Sequence, residues 1–142
     1  MNIIKLTKEI LLENIEELIE IDSVIKINER WRHENFLVEL NGKWDNSYVA
    51  LREDTVAGFI ICSIKNERTL HIHRFAVRKE FQNMGVGTQL ITKVINSTNH
   101  KLNSITLKVK TDNATAHNFY EKSGFKRAYS ENENYIYQRL LQ

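Results

Sequence analysis

The chain contains no proline, and only one cysteine, Cys62, among its 142 residues. A single thiol excludes an intrachain disulfide and points to a reducing compartment. No apolar stretch reaches membrane-spanning length. The longest runs from Val56 to Cys62, well short of the ~20 residues a spanning helix needs. The opening residues MNIIKLTKEI lack the basic-then-apolar layout of a signal peptide. Charge of one sign is lacking as well. Lys and Arg number 20 against 18 Asp and Glu, a net charge of +2, and the two signs are interspersed. That balance excludes a strongly basic nucleic-acid face. Repeats, linkers and low-complexity tracts are absent too. These absences predict one cytoplasmic domain, 1–142, with neither a membrane nor a nucleic-acid partner.

What is present is ordinary globular material, 42% hydrophobic and 27% charged. A chain of this length buries roughly two-thirds of its unfolded surface. Asn2 to Leu6 reads as a strand, and Thr7 caps a helix whose apolar stripe is Ile10, Leu11, Ile15, Leu18 and Ile19. A second helix is predicted from Asn28 to Leu40, with Trp31, Phe36, Leu37 and Leu40 inward and Asn41-Gly42 as its stop. From Ser47 the apolar period becomes two, giving a hairpin of Tyr48–Leu51 and Val56–Ile64. Further on lie a strand at Ser104–Val109, a helix from Asp112 or Asn113 to Lys122 with Gly124 at its end, and closing strands at Phe125–Tyr129 and Tyr135–Leu140.

The stretch between these halves, Leu70 to Thr88, organises the rest. It opens as a strand, where alternation places His71, His73, Phe75 and Val77 on one face. It then turns through Gln82-Asn83-Met84-Gly85-Val86-Gly87-Thr88 into a helix with the stripe Val86, Leu90, Ile91, Val94 and Ile95. A strand, a glycine-bearing loop and a helix start aim unpaired N–H groups and a partial positive charge at one spot, which suits a phosphate. Neither a Gly-Lys-Ser/Thr loop nor a three-glycine dinucleotide fingerprint is present.

Gln82-x-x-Gly85-x-Gly87 behind a strand ending Phe75-Ala76-Val77 resembles the acetyl-CoA motif of the GNAT superfamily of N-acetyltransferases. A second signature of that family follows in order: Asn113-Ala114-x-Ala116-x-x-Phe119-Tyr120-Glu121-Lys122-x-Gly124-Phe125. The resemblance covers Val56 to about Tyr137. It implies an α/β fold with a mixed sheet, in the order βααβββαβαββ, whose two central strands splay to admit the cofactor. It further implies that residues Gln82 to Thr88 hold the pyrophosphate and that the backbone of Phe75, Ala76 and Val77 pairs with the pantetheine arm. Asn113 is then a pantetheine contact as well as a helix cap. Lys79 stands where the family often has proline.

Amine acetylation needs a base for the ammonium, donors for the thioester oxygen and a proton source for the departing thiolate. The resemblance places Tyr120 in the last role, although an aromatic beside Phe119 and Phe125 also reads as core. His71 and His73 share a strand face and can line one cleft. They also look like the His-x-His strand of arylalkylamine N-acetyltransferases, where such histidines relay the amine's proton through water. A metal is not expected, because no third ligand is suitably spaced. Ribosomal-protein N-acetyltransferases, which the chain resembles in Trp31–Leu40 and Val56–Ile61, carry a glutamate base in the strand before the second motif. Here that strand reads Leu107-Lys108-Val109-Lys110, with lysine in its place. The reading is an acetyl-CoA-dependent N-acetyltransferase without an acyl-enzyme, acting on a small-molecule amine. The alternatives are a peptide N-terminal or lysine acceptor, favoured by an acidic groove near Glu29, Glu34 and Glu39, or a non-catalytic acyl-CoA sensor. Trp31, Trp44 and Tyr48 are acceptor-pocket or core residues, and Cys62 is core filler. Dimers are common among similar proteins, which leaves a homodimer open.

Overall fold

The computed structural model describes residues 1–23 and 29–141. Its strands are β1 (Asn2–Lys5), β2 (Tyr48–Arg52), β3 (Thr55–Lys65), β4 (Thr69–Val77), β5 (Ser104–Lys110), β6 (Lys126–Glu131) and β7 (Asn134–Leu140). The helices are α1 (Lys8–Asp22), α2 (His33–Leu37), α3 (Lys43–Asn46), α4 (Val86–Ser97) and α5 (Ala114–Lys122). All seven strands join one sheet in the order β1-β2-β3-β4-β5-β7-β6; among the described residues β4 and β5 are its only parallel neighbours. Among the described residues no helix is long and apolar enough to cross a membrane.

Helices cover both faces of β3, which explains its unbroken apolar run. Phe59 and Ile61 point to one side and join Leu11, Leu18, Ile21 and Phe36 of α1 and α2. Ile60 and Cys62 point to the other and join Leu90, Ile91 and Val94 of α4. Thr7 caps α1 through its hydroxyl, which accepts from the Ile10 N–H at 3.1 Å.

The parallel join between β4 and β5 is short. Pairing runs from Thr69↔Ser104 to Ile72↔Leu107 and stops. Above it, β4 stays on β3 as far as Val77↔Gly58, and β5 stays on β7 as far as Lys110↔Asn134. The sheet therefore opens between His73–Val77 and Lys108–Lys110, the expected splay.

Two expectations need correction. The helix predicted from Asn28 to Leu40 is only the short α2; Asn28 itself lies outside the described residues. Arg32 before it is extended (φ −109°, ψ 178°), and Val38 after it turns extended at ψ 129°. The Lys43 ammonium replaces the missing helical partners by binding the carbonyls of Phe36 and Val38 at 2.5 and 2.7 Å. Gly42, expected to stop a helix, begins α3 with a left-handed φ of 71°. The second correction lies in β4. Its register on β3 jumps from Arg74↔Ile61 to Ile72↔Cys62, leaving His73 as an extra residue. His71 and His73 still share a face, but Phe75 and Val77 move to the other side and pack in the α4–α5 core.

Candidate active site

β4 ends in a 3₁₀ turn, Lys79–Phe81, and the chain reaches α4 through Gln82 to Gly85. The Gln82 amide donates to the Val77 carbonyl at 3.1 Å, which folds the loop back on the strand. Asn83 (φ 64°) and Gly85 (φ 82°) both take left-handed backbone, the conformation that asparagine and glycine tolerate best. No side chain caps α4 and no acid stands in its first turn, so its leading N–H groups face outward unspent. Met84 is exposed, Val86 is buried, and only the backbone of Val86 is available to a ligand. Thr88 lies exposed in the first turn. A Cβ built on Gly87 would lie 3.5 Å from the Phe119 ring and 3.7 Å from that of Phe75. Any longer side chain there would press on these two rings. A diphosphate ester with an extended arm fits these features.

A cleft of about 400 Å³ opens in the splay, lined among others by His73, Phe75, Lys108, Lys110, Asn113 and Tyr120. The Arg78 N–H donates to Ala57 at 2.7 Å. Strand alternation therefore turns the N–H groups of Phe75 and Val77 away from β3 and into the opening. Ala76 faces the other way: its backbone lies against Phe59 and its side chain joins the α1 core. Asn113 caps α5 by accepting from the Ala116 N–H at 3.1 Å, and it also lines the cleft. Tyr120 enters from α5 between the rings of Phe75, Phe119, Phe125 and Tyr137, 5.3 to 6.3 Å away. Burial raises its phenol well above the ordinary value, so the hydroxyl keeps its proton.

Of the two histidines, His73 reaches the cleft. His71 is nearly covered and turns its Nδ1 to the Thr106 hydroxyl at 2.9 Å. The His73 Nε2 meets the Ser63 hydroxyl at 2.6 Å, and the two rings meet edge to face at 4.8 Å. Burial, reinforced by the nearby Lys65 ammonium, lowers His71 to about 3 and His73 to about 4. Both are neutral at neutral pH. Unfolded histidines bind protons near ~6.5 while these do not, so stability is full above that pH and drains away as pH falls towards the folded values. We expect a loss on the order of 2 kcal/mol between pH 7.5 and 5, read from urea midpoints. The His71→Gln/His73→Gln protein should show a shallower slope, and an equal slope would refute this origin.

Sequence reading missed several groups at this site. Asp22, at the end of α1, is fully buried and accepts from Arg74 Nε at 2.5 Å, from Arg74 Nη2 at 2.8 Å and from the Trp31 N–H at 2.7 Å. Arg74 also binds the Glu29 carbonyl at 2.8 Å. The Glu29 carboxylate, the cleft's one acidic lining group among the described residues, is taken by Lys110 at 3.1 Å. Among the described residues, no three His, Cys, Asp or Glu side chains converge as a metal site would require.

The sequence profile of the acetyltransferase (GNAT) family matches residues 12–125. The chain belongs to that family. An N-alpha-acetyltransferase of Sulfurisphaera tokodaii is 29% identical over 127 residues, covering 77% of this chain and 76% of its own. The solved structure of Ard1 from Thermoplasma volcanium superposes with a TM-score of 0.82 at 27% identity, over 99% of this chain and 97% of that one. The PaiA N-acetyltransferase of Thermoplasma acidophilum, solved in complex with coenzyme A, shares the fold with a TM-score of 0.77 at 19% identity, over 98% of each chain. The acetyltransferase thus has the family's splayed sheet. Its cleft carries one neutral histidine, His73, with Lys108 and Lys110, and its one acidic lining group among the described residues is already paired.

Proposed function

We propose that this acetyltransferase moves the acetyl group of acetyl-CoA to the α-amine of a peptide or protein by direct attack. The observation that carries the choice is the weakness of every base in the cleft. A neutral histidine held near 4 is a poor acceptor for the proton of an alkylammonium of pKa ~10. An α-amine, with pKa near ~8, is already substantially free at pH 8. The expectation of a small-molecule amine rested on two histidines working together, and His71 is turned away to Thr106. The N-alpha-acetyltransferase relative supports the same choice.

In this reading the first-turn amides of α4, with Gln82 to Gly85, hold the pyrophosphate. The pantetheine arm lies between β4 and β5, bonded to Phe75, Val77 and Asn113. The Val77 N–H faces the thioester oxygen and stabilises the charge that develops there. The amine's lone pair forms the new C–N bond as the C–S bond breaks, and Tyr120 gives its proton to the sulfur and recovers one from water. His73, steadied by Ser63, accepts a hydrogen bond from the incoming amine and passes its proton to water, with His71 packed behind it.

The test is release of CoA thiol at pH 8 against two sets of acceptors: peptides with a free α-amine, and alkyl- or arylalkylamines. Peptides should turn over at least about 100-fold faster in kcat/KM, and blocking their N-terminus should abolish the rate even with an internal lysine present. Alkylamines as good as the peptides would overturn the α-amine choice.

A further inference from the structure

Lys108 lines the cleft at the first position where β5 has parted from β4. Its side chain is half-exposed, and its nearest carboxylate, Glu131, lies 3.9 Å away at the limit of an ion pair. The other charges around the histidines divide cleanly. Arg74 is matched by Asp22 of α1, and Lys110 by Glu29, with Glu133 and Asp112 further out at the rim. Lys65 at the end of β3 forms no ion pair among the described residues. Lys43 of α3 is buried on backbone carbonyls. Lys65 and Lys108 act on His71, and Lys65 and Lys43 on His73. The cleft beside His73 is thus lined by Lys108 and Lys110, and its one acid among the described residues, Glu29, is already paired with Lys110.

We propose that Lys108 promotes catalysis by its field, making the acceptor ammonium more acidic instead of taking its proton. A cation entering a positive, partly desolvated site gives up a proton more readily, as lysines beside other cations do. The N–H bond of the ammonium breaks, its electron pair stays on nitrogen as the nucleophile, and the proton leaves to water past the neutral His73. The inference rests on amine acetylation and is independent of which amine is used, so a failure of the α-amine choice leaves it testable on any amine that turns over.

The experiment compares wild type, Lys108→Gln and Lys108→Arg, following kcat at saturating acceptor, which reports ionisations of the bound complex, from pH 6 to 9.5. In Lys108→Gln the acid-side midpoint should move up by about half to one unit, so the rate at pH 7 falls about three- to tenfold and recovers towards pH 9.5. Lys108→Arg keeps the charge and should keep the midpoint. An acceptor already uncharged at the assay pH should lose nothing in Lys108→Gln. An unmoved midpoint, an arginine variant shifted like the glutamine one, or an equal loss with the uncharged acceptor would each overturn the proposal.

Discussion

Replacing Asp22 with alanine should cost about 3–5 kcal/mol of stability, as expected for removing one partner of a buried ion pair. The loss far exceeds that of a surface pair. The Asp22 carboxylate is wholly buried and Arg74 is only 16% exposed, so the guanidinium left behind keeps its desolvation cost without its counter-charge. The Trp31 N–H loses its acceptor in the same step. The thermal midpoint should fall on the order of 10 °C or more. Asp22→Ala combined with Arg74→Met should recover part of the loss, because it removes the stranded charge and leaves an apolar chain under Trp31. A single-variant loss below about 1 kcal/mol in urea unfolding would show the pair to be marginal.

Tyr120→Phe should lower kcat about 100-fold or more, the scale of a positioned proton donor, while leaving the thermal midpoint within about 2 °C. The two effects separate because the ring and hydroxyl do different things. The ring is packed against Phe75, Phe119 and Phe125, and phenylalanine preserves that packing. Tyr120 lines the cleft, and burial keeps its hydroxyl protonated. A rate within about threefold of wild type would reduce Tyr120 to a packing residue and leave the thiolate to depart unaided.

The parts of this molecule legible in the sequence are those written in local patterns. The Gln82-x-x-Gly85-x-Gly87 loop, the Asn113 cap and the α1 and α4 stripes lie within one or two turns of their own partners, so spacing alone locates them. The division of Asn28–Leu40 into α2 and an extended exit was not legible, because it depends on Lys43 reaching back to Phe36 and Val38. The bulge at His73 was hidden for a similar reason. It belongs to the register between β3 and β4, and neither strand shows it alone. The Asp22–Arg74 pair joins residues 52 apart, and only tertiary structure brings them together. Ser63 was nearer to discovery: the turn at Lys65–Arg68 sets it opposite His71, and counting back across the hairpin would have reached it.

The narrow junction between β4 and β5 has a consequence for how the protein breathes. Only four residue pairs join the two halves of the sheet along this seam. The Phe75 and Val77 amides on its open side have no strand partner from β5. Deuterium should therefore enter at these amides early in the free protein, ahead of their β3-facing neighbours. Saturation with a donor that bridges the gap should slow that entry and raise the melting midpoint with ligand concentration. The acetyl donor would then serve as a missing strand, and the enzyme's resilience would follow the supply of its own substrate.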